Sequence, residues 1–246
     1  MAKISEKLLR IDQERYKGHI SLCEIDLYGQ VAMSEARVLI VGAGGLGSPV
    51  ALYLAAAGIG HIGIVDADTV DVSNLQRQII HATTDLGKKK IVSAREKLID
   101  INPLIEVKIM DAMISEENAH DIVKNYDIIV DCTDSGCSRL LVSDVCVREH
   151  KCLVFGAVMR FSGQLFTYKP GTASYRDIFG DGFREEATSC AHTGVLNTVL
   201  GVVGSLMATE VIKIVTNVGN LLTNKLLVFD ALTMKFNTFD VLYTES

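Results

Sequence analysis

The sequence contains no C-x-x-C pair. Its six cysteines, Cys23, Cys132, Cys137, Cys146, Cys152 and Cys190, stand singly, so they suggest neither a zinc site nor a disulfide framework, and most read as buried thiols. Positive charge is in short supply: 24 Lys and Arg face 30 Asp and Glu, a net charge of −6. With a pI near 5.5 there is no general attraction to nucleic acid or to an anionic membrane, and nucleic acid is not expected as the main partner. Uninterrupted apolar runs are also missing. The first sixteen residues hold no apolar core of the kind a secretory signal needs, which predicts a cytoplasmic protein. The most apolar stretch, Val195 to Val215, is broken by Asn197, Thr198, Ser205, Thr209, Glu210 and Lys213, and reads as a core or subunit-interface helix rather than a membrane span. No repeat or low-complexity tract occurs. Hydrophobic residues at 48% and charged residues at 22% exclude a disordered or fibrous chain.

What is present is an alternation of strand and helix signals within 246 residues, a length suited to one large α/β domain with an added lobe. Apolar runs at Arg37–Val41, His61–Val65, Glu106–Met110, Asp127–Asp131 and Cys152–Gly156 predict strands. Between them, Ser48–Ala57, Lys90–Ile101, Glu116–Asn125 and Arg139–Glu149 predict helices, the first with Pro49 in its opening turn and Gly58 at its end. The expected fold is therefore α/β: a Rossmann-like, doubly wound, mostly parallel sheet over residues 37–156, preceded by a helical arm over 1–36. Residues 157–246 break the rhythm. Gln164–Tyr168 alternates like an antiparallel strand, Pro170–Thr188 predicts a mobile crossover loop, and Leu226–Phe229 with Phe236–Val241 predicts a hairpin at the sheet edge.

Gly42-Ala-Gly-Gly-Leu-Gly47 follows the first strand directly and opens the first helix of the alternation, the context in which G-x-G-x-x-G has meaning. Gly42 permits a tight turn, Gly44 and Gly45 let backbone approach a phosphate, and Gly47 lets the helix pack close to the sheet. The helix N-terminus adds free N–H groups and a positive dipole. Asp66, after the second strand, is placed to accept ribose hydroxyls. These signals predict an adenosine nucleotide without choosing between NAD and ATP.

The choice comes from Asn74, Arg77 and Lys90, polar and basic groups gathered near the same strand ends. A carboxylate attacking the α-phosphate of ATP is already ionised and needs no general base. Its barrier lies in charge repulsion and in the charge developing on the phosphates, which Arg, Lys and Mg²⁺ offset. Arg77 and Lys90 suit that task, Asn74 adds hydrogen bonds, and Asp134 reads either as a Mg²⁺ ligand or as a cap of the following helix.

GAGGLG at 42–47, DADTVDVSNLQRQ at 66–78, GKKK at 87–90 and DCTD at 131–134 occur in that order, and together they resemble the MoeB/ThiF/HesA family, bacterial relatives of ubiquitin-activating enzymes. The resemblance covers about residues 14–241. It implies a homodimer that uses ATP and Mg²⁺ to adenylate the C-terminal glycine of a ubiquitin-like sulfur carrier ending in Gly-Gly, similar to MoaD or ThiS, in the synthesis of a sulfur-containing cofactor. Related families act instead on peptide or modified-tRNA carboxylates, and a nucleotide-binding partner subunit of low activity is a further alternative. The nucleotide set it implies is Gly42, Gly44, Gly45, Gly47, Asp66, Asp68, Asn74, Arg77, Lys90 and Asp134, with Arg139 at a recurrent basic position. Cys190 matches a cysteine that links covalently to the carrier, and His192 lies near it.

Two departures stand out. Ser174-Tyr-Arg-Asp177 occupies the place of the first of the two C-x-x-C pairs that bind zinc in many members, so no zinc is expected. Glu14 to Ile20 resembles the family's R-Y-x-R-Q segment, whose second arginine reaches the partner's ATP, but Gly18 stands there; Arg15 or Lys17 is the expected substitute, a lysine lacking arginine's bidentate fork.

Overall fold

A computed structural model describes residues 11–180 and 194–243. Eight strands form one sheet among the described residues: β1 (Arg37–Val41), β2 (His61–Val65), β3 (Glu106–Met110), β4 (Ile128–Asp131), β5 (Cys152–Met159), β6 (Ser162–Tyr168), β7 (Lys225–Asp230) and β8 (Lys235–Asp240). Their order is β3-β2-β1-β4-β5-β6-β7-β8. The first five are parallel and the last three antiparallel, as the sequence predicts.

Strands buried on both faces need apolar residues at successive positions, and β1, β2 and β4 have them. Alternate residues feed two cores. Val38, Ile40, Ile62, Ile64 and Val130 pack with α3 (Gly47–Ala57), α4 (Lys90–Ile101) and α8 (Asn197–Thr216). Leu39, Val41, Val65, Ile129 and Phe155 pack on the other face with α5 (Ala119–Val123), α6 (Gly136–Arg148) and α7 (Tyr175–Phe179). Two N-terminal helices, α1 (Lys17–Ile20) and α2 (Asp26–Glu35), precede the sheet. Because β1 runs on to β2 on one side and β4 to β5 on the other, the loops after β1 and β4 diverge and open a crevice at their carboxyl ends.

The α8 helix has the length and apolarity of a membrane span, but Val199, Val203, Met207 and Val211 are buried along one stripe against α3, β5 and β6. Its buried Glu210 accepts hydrogen bonds from the Thr167 hydroxyl at 2.6 Å and the Leu222 N–H at 2.9 Å, and pairs with Lys213. It is a core helix.

Two expectations are corrected. The helix expected over Glu116–Asn125 shrinks to Ala119–Val123, because the Asn118 side chain accepts from the Ser115 N–H at 2.9 Å and donates to the Met113 carbonyl at 2.9 Å, holding that stretch as a turn. The described part of the expected mobile loop, residues 170–180, is packed structure. Ser174 and Asp177 form a capping box for α7, Tyr175 is buried against Phe155, Phe166 and Phe179, and Arg176 grips both Asp144 oxygens at 2.6 Å.

Candidate active site

The crevice is a cleft of about 250 Å³, lined mainly by loops and helix ends at the carboxyl edge of the parallel strands. Gly42, Gly44 and Gly45 come from the loop after β1, Asp66 and Asp68 from the end of β2, and Lys90 from the start of α4. Arg77 and Gln78 follow a short 3₁₀ turn at Val72–Asn74, while Asp134, Ser138 and Arg139 belong to the loop after β4 and the start of α6.

The glycine loop has no room for side chains at its two ends. Gly42 has φ +98°, where a Cβ would sit 3.0 Å from the Cys132 carbonyl, and a Cβ on Gly47 would sit 2.0 Å from the Gly42 oxygen. Gly47 does not line the cleft; it closes the helix onto the loop. Asp66 pins the loop from the side: one oxygen accepts the Ala43 N–H at 2.8 Å and the other the Asp68 N–H at 2.8 Å. Each oxygen keeps a lone pair for a ligand hydroxyl.

Lys90 is buried, 5% exposed, and its ammonium meets the exposed Asp68 carboxylate at 2.8 Å. Arg77 donates to the Ser73 carbonyl at 2.9 Å. Arg139 lies against the Thr133 carbonyl at 3.3 Å and over the Phe155 ring at 5.6 Å, which holds its guanidinium beside the cleft. Asp134 is exposed, and the helix cap is Ser135, whose hydroxyl accepts the Ser138 N–H at 3.1 Å. Capping therefore does not account for Asp134, which makes no hydrogen bond among the described residues.

Other expected residues lie elsewhere. Asn74 stays outside the cleft lining, its oxygen accepting the Asp71 N–H at 3.2 Å in a capping box. Arg15 is at the opposite end of the sheet, donating to the Ile101 carbonyl at 3.0 Å, about 16 Å of helix from Lys90. Cys190 and His192 fall outside the described residues.

Three buried polar residues escape a reading of the sequence. The Asp131 carboxyl, beneath the loop that carries Asp134, accepts from the Thr133 N–H and hydroxyl at 2.9 and 2.7 Å, and burial pushes its pKa up. Gln78 lines the cleft with a buried Oε1 that has no partner in the described structure. His81 bridges the Ser93 hydroxyl and the Ala43 carbonyl, and burial, together with the charge of Lys90, holds its pKa below the usual imidazole range.

A glycine cradle, recessed cationic groups and a free carboxylate fit a nucleotide polyphosphate and Mg²⁺, which commonly binds through one or two carboxylates and substrate phosphates. Comparisons with known proteins identify the family and the fold. The chain is 43% identical over 240 residues to the probable adenylyltransferase/sulfurtransferase MoeZ of Mycobacterium tuberculosis, covering 95% of this chain and 61% of that protein. It is 41% identical over 234 residues to a probable molybdopterin-synthase adenylyltransferase of Porphyra purpurea, covering 94% and 61%. The chain thus spans about three-fifths of the length of these curated relatives. The crystal structure of E. coli MccB with MccA-N7isoASN shares the fold, with a TM-score of 0.84 at 23% identity over 97% of this chain and 74% of that one. The ThiF family model matches residues 16–245, and the chain belongs to the ThiF family.

Proposed function

We propose that this chain adenylates the C-terminal glycine carboxylate of a small ubiquitin-like sulfur carrier ending in Gly-Gly, with ATP as co-substrate. The observation that carries this reading is the convergence of the glycine loop, Arg77, Lys90, Arg139 and Asp134 on one cleft in a ThiF-family chain. A carrier carboxylate oxygen attacks the α-phosphorus, the bond to the oxygen bridging to the β-phosphate breaks, and its electron pair leaves with pyrophosphate. The product is an acyl adenylate.

Each group has a task in that step. The Gly44 and Gly45 amides and the α3 N-terminus receive phosphate oxygens, and Asp66 accepts the ribose hydroxyls. Lys90 and Arg77 offset charge on the departing pyrophosphate. The Lys90–Asp68 pair suits this, because an exposed carboxylate is a partner that a phosphate can replace. Asp134 is the residue to hold Mg²⁺, which supplies charge neutralisation on the phosphates. No protein base is needed.

The reading extends to a cytoplasmic homodimer in which Arg15 serves the partner's cleft, to Cys190 as the site of a later sulfur-transfer step, and to a protein without structural zinc. The named adenylyltransferase relatives, above 40% identity, favour a sulfur carrier and cofactor synthesis over other carboxylate substrates. Intact-mass spectrometry of candidate carriers incubated with the chain, ATP and Mg²⁺ tests it. One carrier gaining the mass of an adenylyl group, AMP less one water, is expected; no gain on any carrier, with ATP bound, contradicts it.

A further inference from the structure

His81 lies between the 3₁₀ turns at Val72–Asn74 and Thr83–Asp85, and the residue is 6% exposed. Both nitrogens are engaged: Nε2 is 3.1 Å from the Ala43 carbonyl oxygen, and Nδ1 is 2.9 Å from the Ser93 hydroxyl. A carbonyl only accepts, so Nε2 carries a proton and donates it. In the neutral ring, which burial favours, Nδ1 accepts the Ser93 O–H.

These bonds hold the one peptide carbonyl of the loop that lies between the Ala43 N–H, fixed by Asp66, and the Gly44 carbonyl, which accepts from the Ser48 N–H and hydroxyl. The Ala43 N–H is already fixed by Asp66 at 2.8 Å, but the next peptide, Ala43–Gly44, leads into two glycines with wide conformational freedom. It is trans and planar, so its C=O and N–H point in opposite directions. Holding the Ala43 carbonyl toward His81 aims the Gly44 N–H the other way, and Gly44 lines the cleft. That N–H makes no hydrogen bond among the described residues. A Cβ built on Gly44 would meet only the Gln78 amide nitrogen, at 3.6 Å, so the backbone there is uncrowded. On its other side the ring is tied to Ser93, three residues along α4 from Lys90 and so one turn away on the same face.

We propose that His81 is a positioning residue for phosphate: it sets the Ala43–Gly44 peptide so that the Gly44 N–H faces the cleft, and it ties this loop to the helix carrying Lys90. The inference rests on the nucleotide reading and assigns it a specific support. A histidine that merely fills the core would affect the adenosine and phosphate ends of a nucleotide alike.

Calorimetric dissociation constants for ATP with Mg²⁺ and for adenosine, measured on wild type, His81→Ala, His81→Gln and Ser93→Ala, separate these roles. His81→Ala should weaken ATP about tenfold, the worth of one hydrogen bond to a charged group, while adenosine changes less than about twofold. His81→Gln, whose amide N–H replaces that of Nε2, should keep ATP within about threefold of wild type. Ser93→Ala, which keeps the Nε2 bond and loosens the ring, should cost about threefold in ATP alone, and it carries the test if His81→Ala fails to fold. Unchanged ATP affinity in His81→Ala and Ser93→Ala, or parallel losses of ATP and adenosine, overturns the proposal and leaves the nucleotide reading standing. A wild-type chain with no ATP affinity removes both.

Discussion

Lys90 is the side chain on which the cleft's chemistry depends most, because it is a recessed ammonium whose one ion-pair partner among the described residues, Asp68, is itself exposed. Lys90→Met should lower pyrophosphate exchange by about 10²-fold or more, in line with the loss of a preorganised group facing developing charge. Its melting temperature should stay within a few degrees of wild type, since the abandoned carboxylate remains in water; a collapse in stability would contradict a catalytic role for Lys90. Asp85 behaves oppositely. It is 1% exposed, and although burial alone would raise its pKa, the Ala82 N–H, Lys88 and the charge of Lys97 hold it down to about 2. Its unfolded value is near 3.8, so the stability this carboxylate supplies, about 2 kcal/mol, is present above that pH and lost as pH falls through 2. Urea unfolding against pH should show a gap between wild type and Asp85→Asn that is widest above pH about 4 and narrows towards pH 2. A gap independent of pH would contradict the assignment. Gly42, Asp66, Lys90 and Asp134 are legible in the sequence because each has a residue type and a position relative to a strand or helix end. His81 and Gln78 have no such signal. Their partners lie across the fold, His81 meeting a carbonyl 38 residues away, and only tertiary structure brings them together.

The parallel strands are legible for a related reason: a strand buried on both faces must be continuously apolar, and here each such run ends where the cleft begins. Segments whose shape depends on side-chain hydrogen bonds are not, as Asn118 shows by delaying the start of a helix that its neighbours' composition favours. The α7 segment is the clearest case. Its residues lack periodicity, yet Tyr175 sits 5.1 Å from Phe155 and 4.6 Å from Phe179 between ring centroids, next to the Arg139 that the cleft uses. Tyr175→Ala should cost about 3–5 kcal/mol, a drop of roughly 6–20 °C in melting temperature, and should open residues 170–180 to proteolysis. A change below about 2 °C would mean that α7 is not anchored by this cluster.

At the scale of the whole molecule, one chain supplies a cleft at one end of its sheet and Arg15 at the other. If Arg15 acts on nucleotide, it acts on a partner's. Under the proposed homodimer, Arg15→Ala and Lys90→Met chains should each be nearly inactive, whereas refolding an equal mixture should restore up to about a quarter of wild-type activity, since half the dimers then hold one intact cleft. Mixtures no more active than their parents would remove Arg15 from the reaction.

Adenylation of a carrier carboxylate is the central claim, and ATP–pyrophosphate exchange with Mg²⁺, across a panel of ubiquitin-fold carriers ending in Gly-Gly, tests it most directly. Exchange should appear with one carrier, disappear without it, and fail when that carrier's terminal glycine carboxylate is amidated. Exchange with no carrier in the panel, from a chain that binds ATP, would contradict the claim.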